Sequence, residues 1–199
     1  MITAGACREN IDPMRFISNC STGKMGLALA RAASIRGADV TLISAHISVN
    51  IPAYIKTIKV SSAAEMHKAC LDAFDDNDIV IMNAAVSDYR PAEVSLNKIK
   101  KSANLSLELV RTKDIISELT DKRKQGHIIC GFAAESENIM QFARDKMIKK
   151  NMDCIVANDL KVAGSDITKC TFIAPDVEAD FSGDKFDVAH NIMNELLKI

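Results

Sequence analysis

Residues 78–84 read DIVIMNA, a nearly all-apolar run. Such a run is expected at the centre of a parallel sheet, where both faces of a strand are buried. A helical pattern stands on each side of it, Ser62 to Phe74 before and Asp114 to Arg123 after. Further out, Ala38 to Ser44, Ile55 to Val60, His127 to Phe132 and Asp153 to Ala157 read as strands. Thr22 to Arg36, Asn138 to Lys150 and Lys185 to Leu197 read as helices. Ser21 or Thr22 is expected to cap the first helix, Gly37 to stop it, and Ser136 to lie near the cap of the 138–150 helix. Met1 to Ala4 is a stub of a first strand, and the runs flanking Pro175-Asp176 can form a hairpin. Strands alternating with helices predict an α/β fold, a Rossmann-like, mostly parallel sheet with helices on both faces.

Two segments break this rhythm. Gly5 to Ser21 is a 17-residue loop between the first strand and the first helix, and Ser87 to Ala103 is an insertion after a buried strand. Links in such units usually take about 2–6 residues, and longer ones are usually functional. Both leave strand carboxyl ends, where open α/β sheets bind ligands, so they are expected to face one cleft. The short first strand suggests a chain cut from a longer polypeptide, or one lacking a fused partner.

Composition excludes several classes. The 199 residues are 48% hydrophobic and 26% charged, which fits a globular domain and not a disordered chain. A net charge of -1 excludes a generally basic nucleic-acid binder, though not a local basic patch. No apolar stretch approaches the roughly 20 residues of a membrane span, and the start lacks the pattern of a signal peptide. A cytoplasmic chain with no nucleic-acid or membrane partner is expected. The six cysteines form no CxxC and are expected to be free thiols. The pairs His67/Cys70 and His127/Cys130 read as ordinary packing rather than a zinc site.

Common nucleotide motifs fail. After Thr3 the chain reads AGACREN, not a glycine fingerprint, and no acidic residue ends the second strand. Tyr89 lacks a lysine four positions on, where Glu93 stands. A P-loop ending at Gly23-Lys24 would need Gly at 18 and Ser or Thr at 25, where Ser18 and Met25 stand.

Five constellations carry chemistry. Asn19 to Lys24 enters a helix, whose open N–H groups and dipole suit an anion, or else form a plain cap with Asn19 in a turn. Ala84 to Pro91 ends a buried strand in small residues, leaving room for a ligand ring; Asp88 can hold ribose hydroxyls or simply form a turn. Lys98-Ile99-Lys100-Lys101 lies in the insertion, as a site or a solvated face. Phe132, followed by two alanines, can stack on a base or fill the core. Lys146 and Lys150 share a helix face that can hold a polyphosphate or stay solvated.

The stretches REN, IDPMRFISN, STGKMG, NAAVSDYRP, NKIKK, KDII, GFAAES and KMIKKNMDCIVAND occur in order over nearly the whole chain. In them the sequence resembles the phosphopantothenate–cysteine ligase family, in particular its bacterial branch, where the ligase is fused to a flavin-dependent decarboxylase. The resemblance implies a single ligase domain over 1–199, with a flexible flap at about 87–103, and a homodimer. It implies that CTP activates 4′-phosphopantothenate as an acyl-cytidylate, releasing pyrophosphate. L-cysteine then displaces CMP, a step of coenzyme A biosynthesis. Mg²⁺ is implied with CTP, and no flavin in this domain. Asn19 would hydrogen-bond the activated acyl group, and Lys98 would be the catalytic lysine of the flap, also contacting nucleotide. Met82, Asn83, Ala84 and Asp88 would line the nucleotide pocket. Lys113, Asp114, Ile115 and Ile116 would contact CTP, Phe132 would pack beside cytosine, and Lys146 and Lys150 would bind the triphosphate.

This sequence departs from the family at Gly5-Ala6-Cys7, where Gly-Gly-Thr or Gly-Pro-Thr is usual, and at Asn10, where Pro is frequent. Cys20 replaces a usual His or Arg, and the segment after Asp180 diverges. Two other readings therefore stand beside the ligase: a nucleotide-binding oxidoreductase, and a nucleotide-binding subunit disabled by the Cys7 and Cys20 departures.

Overall fold

The computed structural model describes residues 1–135, 137–159 and 164–199. Its frame is one eight-stranded sheet, built from β1 (Ile2–Ala4), β4 (Thr41–Ser44), β5 (Lys56–Lys59), β6 (Ile79–Met82), β9 (Ile128–Glu135), β10 (Cys154–Asp159), β11 (Ile167–Ala174) and β12 (Val177–Asp184). The spatial order is β12-β11-β10-β9-β6-β1-β4-β5. All neighbours from β10 to β5 run parallel, and the closing β11–β12 hairpin is antiparallel. The expected α/β architecture is therefore the observed one.

Each central strand divides its side chains between two cores. Val80 and Met82 face one, and Ile81 faces the other. On that other side α1 (Lys24–Ile35) and α5 (Lys185–Leu196) pack with Leu27, Leu29, Val188 and Ile192 in a single cluster. The opposite cluster takes Met66 and Phe74 of α2 (Ala63–Phe74), Leu119 of α3 (Ile115–Asp121) and Met147 of α4 (Ile139–Lys149). A strand buried on both faces has no solvated side to alternate with, which is why DIVIMNA is uniformly apolar.

The chain starts in the middle of the sheet. From β1 it moves outward to β4 and β5, then returns to β6 on the other side and proceeds to β9 and β10. The order reverses between β1 and β6, and a crevice opens beyond their carboxyl ends. Backbone bonds hold those ends together: the Ala85 N–H donates to Gly5 O (2.8 Å), and the Cys7 N–H to Ala85 O (3.1 Å).

Three local details differ from the sequence reading. The segment 5–21 is not an open loop; it carries a hairpin of β2 (Arg8–Asn10) and β3 (Phe16–Ser18), three residues a strand. Neither strand is long enough to show a hydrophobic period. The excursion after β6 extends past residue 103 and closes as a ribbon of β7 (Tyr89–Pro91) and β8 (Leu109–Arg111). The cap of α1 is Gly23, at φ 76°, without a side-chain hydrogen bond, instead of Ser21 or Thr22. Space decides this, since a Cβ on Gly23 would fall 2.2 Å from Ile47 Cγ2. Gly37 does end α1 in the left-handed region, at φ 88°. Ser62 does cap α2, accepting from the Glu65 N–H. Asn138 caps α4, and Ser136 lies outside the described residues.

Gly26 sets how closely α1 sits on the sheet. A Cβ there would come 2.5 Å from Ala4 Cβ and 3.0 Å from Ala4 Cα. Backbone cannot swing aside, so Gly26→Ala is expected to destabilise by about 1–3 kcal/mol, as overpacking does. Urea unfolding checks this through a lower midpoint with an unchanged slope.

Among the described residues no helix is long and apolar enough to cross a membrane. All six cysteines are free thiols, as expected, and only Cys20 is exposed. Burial pushes the Cys7 thiol up to about 12, helped by the nearby Glu9 and Glu65. A thiol held neutral in this way fills space and is no nucleophile. Of the two His–Cys pairs, His67 Nε2 lies 2.6 Å from Glu118, and His127 meets Phe74 edge-on at 4.6 Å.

Candidate active site in the switch-point crevice

Two cavities, of about 400 and 550 Å³, open side by side at the carboxyl ends of β1, β6 and β9. Both are lined by Ala84, Val86, Asp88, Phe132 and Lys146, so they form two lobes of one cleft. A larger cavity of about 690 Å³ lies at the opposite pole, at the amino ends of the strands. Ligands of open α/β sheets bind at the carboxyl pole, where the long excursions emerge.

The first lobe is framed by the exits of β6 and β9, the start of α3 and one face of α4. Met82, Ala84, Asp88, Lys113, Asp114, Ile115, Ile116, Phe132, Lys146 and Lys150 all line it. Thr3 fixes its floor, its hydroxyl accepting from the Ala84 N–H at 3.0 Å. The small side chains after Met82 leave the open floor. Lys146 Nζ donates to Phe132 O at 2.9 Å, tying α4 to the middle of β9, so Phe132 does not end its strand as the sequence suggests. Lys150 Nζ lies 2.9 Å from Asp114, the residue that caps α3. Burial pushes the Asp114 carboxyl up, but Lys150 and the Ser117 N–H outweigh it, and the net shift is downward. Lys150 thus has a carboxylate counter-ion where the sequence reads an open cation.

The second lobe takes Asn19, Asn83 and the entry to α1. Asn19 follows β3 at once and is exposed, with its Nδ2 3.4 Å from Val86 O. Ser18 anchors the step before it, donating to Cys7 O at 2.7 Å. The amide therefore stands where the two lobes meet. Lys98 lines neither lobe and is exposed on the excursion. Its neighbour Ile99 is held: the Ile99 N–H donates to Asp12 Oδ2 (3.1 Å), and the Arg15 guanidinium donates to Ile99 O (3.0 Å).

Sequence reasoning missed several lining residues. Arg111 of β8 and Thr112 just after it enter the first lobe, and Thr168 and Lys185 enter the second from β11 and α5. Arg111 was hidden in a strand too short to recognise. Lys185 had one visible signal, its place at the first turn of a helix.

A family model described as the DNA/pantothenate metabolism flavoprotein C-terminal domain matches residues 1–199. The chain belongs to this family. Among this DNA/pantothenate metabolism flavoprotein family's curated members, the coenzyme A biosynthesis bifunctional protein CoaBC of Bacillus subtilis (strain 168) is 50% identical over 167 residues, 83% of this chain and 41% of that protein. The CoaBC of Escherichia coli (strain K12) is 44% identical over 164 residues, 80% of this chain and 40% of that protein. The chain thus spans about two fifths of the curated relatives it matches. A crystal structure of the C-terminal domain of CoaBC superposes with a TM-score of 0.84 at 37% identity, covering 98% of this chain and 91% of that one. A DNA/pantothenate metabolism flavoprotein from Streptococcus pneumoniae shares the fold at 22% identity, with a TM-score of 0.85 and coverage of 98% and 96%.

Proposed function

We propose that this chain is a single ligase domain that joins 4′-phosphopantothenate to L-cysteine at the expense of CTP. The carrying observation is the two-lobed cleft, which places a nucleotide-sized lobe against Asn19 at the mouth of a second lobe. Membership of the family and the likeness to the CoaBC C-terminal domain agree with it.

A carboxylate acylates poorly until its oxygen becomes a phosphate ester. CTP in the first lobe would have its base beside Phe132 and the start of α3, with Lys146 and Lys150 toward its phosphates. The carboxylate of phosphopantothenate attacks the α-phosphorus, pyrophosphate leaves, and the acyl-cytidylate forms. Positioning and charge neutralisation are what such a transfer requires. The cysteine amine then attacks the acyl carbon and CMP departs, with the Asn19 amide as a donor to the oxyanion and the Lys98 ammonium as a second once the excursion closes over the cleft. Mg²⁺ suits this cleft as a companion of the nucleotide. It keeps waters and phosphate oxygens and needs only one or two carboxylates. Asp88, which lines both lobes, would be the carboxylate that holds it. When bound, the ion would offset phosphate charge.

The reading includes a cytoplasmic homodimer and a fused or separate flavin-dependent decarboxylase. Light scattering at micromolar concentration should report twice the 21.7 kDa chain mass. The decisive assay is pyrophosphate release with a panel of nucleotides. Release that requires both CTP and 4′-phosphopantothenate supports the ligase. Absent release, with an absorbance change on NADH addition instead, would replace it with an oxidoreductase.

Lys146→Ala is expected to weaken CTP binding by about 1.5–3 kcal/mol, the usual loss for a charge-assisted contact. Lys150→Ala should cost less, because in the wild type CTP must first draw Lys150 away from Asp114. Calorimetric titration of CTP into folded variants checks both, and equal wild-type affinity would leave the α4 face merely solvated.

A further inference from the structure

Three donor side chains that answer no carboxylate converge beyond the ends of β4 and β5, outside the two-lobed cleft. These strands are parallel neighbours, yet residues 45–55 join them without a helix. Ile47, Val49 and Ile51 of that link pack against the α1 core. Ile58 of β5 packs on the opposite core, so Thr57 and Lys59 face the side of the link. A cavity of about 700 Å³ lies there, within the usual range for small-ligand sites. Arg8, His46 and Lys59 line it, and no carboxylate does. His46 and Lys59 are exposed. Arg8 is half-buried, and its guanidinium lies 4.3 Å over the Phe16 ring, a contact that holds the charge in place. Among the described residues none of the three side chains forms an ion pair. Glu9 and Glu65, on adjoining elements, accept from the Ala63 and Ser61 N–H groups, each at 2.7 Å. Val49, Ile51, Pro52 and Ile55 give the cavity an apolar wall.

We propose that this cavity binds a small organic anion, its phosphate or carboxylate head held by Arg8, His46 and Lys59 and its apolar body laid against the 47–55 link. Arginine offers a planar fork of donors, lysine a mobile point charge and imidazole a further N–H. The apolar wall favours an anion with a hydrocarbon part over a bare ion. Ile47 lines this cavity, and its Cγ2 stands 2.2 Å from where a Cβ on Gly23 would lie. The Ser48 N–H donates to Thr22 O at 3.0 Å. Thr22 and Gly23 line the second lobe, so occupancy is felt at the entry to α1. The site needs no assumption about the reaction in the cleft.

The test is titration of hexyl phosphate, hexanoate, inorganic phosphate and hexylamine into the full chain, read by calorimetry and by amide NMR shifts. The better of the first two is expected to bind about tenfold or more tightly than inorganic phosphate, and hexylamine not to bind. Preference for hexyl phosphate identifies a phosphate ester as the ligand class, and preference for hexanoate a carboxylate. Arg8→Gln should weaken the preferred anion about tenfold, and Lys59→Gln and His46→Gln several-fold each. The Ser48 and Gly23 amides should shift on binding to the wild type, and much less at the same anion concentration in Lys59→Gln. Lys59 lines neither lobe, so an anion bound only in the cleft would keep its affinity and its shifts in that variant. That result overturns the site, as does hexylamine binding as tightly as hexyl phosphate. Should Arg8→Gln fail to fold by circular dichroism, the two exposed positions decide.

Discussion

Asn19→Asp is expected to slow amide formation about 10²–10³-fold, the loss that follows removal of one oxyanion donor. Acyl-cytidylate formation should continue. The substitution is nearly isosteric and the side chain is exposed, so the fold has little reason to change. Its electrostatics change fully. Nδ2 of Asn19 donates toward Val86 O at 3.4 Å, and a carboxylate in that place presents oxygen to oxygen. On the other side a negative charge would meet an oxyanion as it develops. In the proposed reading nucleotide binding draws on the first lobe, which Asn19 does not line. Binding and chemistry should therefore separate in this variant. Rapid-quench sampling measures the two halves, and acyl-cytidylate should accumulate while CMP release falls. Wild-type rates of CMP release would remove Asn19 from the chemistry.

The frame was legible because burial on both faces leaves a plain mark. DIVIMNA is apolar throughout since no side of β6 meets water, and the helices beside it show caps such as Ser62 that act locally. The position of the cleft was legible too, because two overlong excursions leave adjacent strand ends. What stayed hidden depends on contacts distant in the chain. Gly23 replaces Ser21 and Thr22 as a cap because of the Ile47 side chain, which no local pattern announces. Lys150 reads as an open phosphate ligand until Asp114, 36 residues away, is placed beside it. Lys24 meets Asp166 across 142 residues, so their pairing is visible only in three dimensions. The hairpin of β2 and β3 was missed for another reason: strands of three residues carry too few alternations to be read.

Asp12→Asn is expected to lower turnover about 10²-fold although Asp12 lines neither lobe, because misplacing a reacting group by about 1 Å can cost that much. The Asp12 side chain is buried at the turn between β2 and β3. It accepts from the N–H groups of Met14 (2.8 Å) and Arg15 (2.9 Å), from the Arg15 guanidinium, and from the Ile99 N–H (3.1 Å). The first three bonds shape the turn, and the last reaches 87 residues along the chain to the excursion that carries Lys98. Asp12 thus ties the two excursions together, beside the Arg15 bond to Ile99 O (3.0 Å) and the Ser95 N–H bond to Ile11 O (3.0 Å), and Lys98 is the residue next to this latch. The Arg15 guanidinium is the main reason the Asp12 carboxyl titrates well below the usual carboxylate range. A depressed pKa contributes stability above the unfolded value and loses it only as pH falls through the folded one. The latch should therefore hold unchanged from about pH 5 upward, and any break in the activity profile there belongs to other groups. An amide at position 12 keeps the shape but loses the charge that Arg15 answers, and it turns a donor toward one of its former donors. The excursion should then be held to the hairpin more loosely, chiefly by the Ser95 N–H to Ile11 O bond. Trypsin gives a reading independent of activity, since Lys98, Lys100 and Lys101 are exposed on the released segment and should be cut faster in Asp12→Asn than in wild type. Lys98→Gln should match the loss in turnover without faster cutting at Lys100 and Lys101. If Asp12→Asn is cut no faster and turns over as wild type does, the latch does not position Lys98.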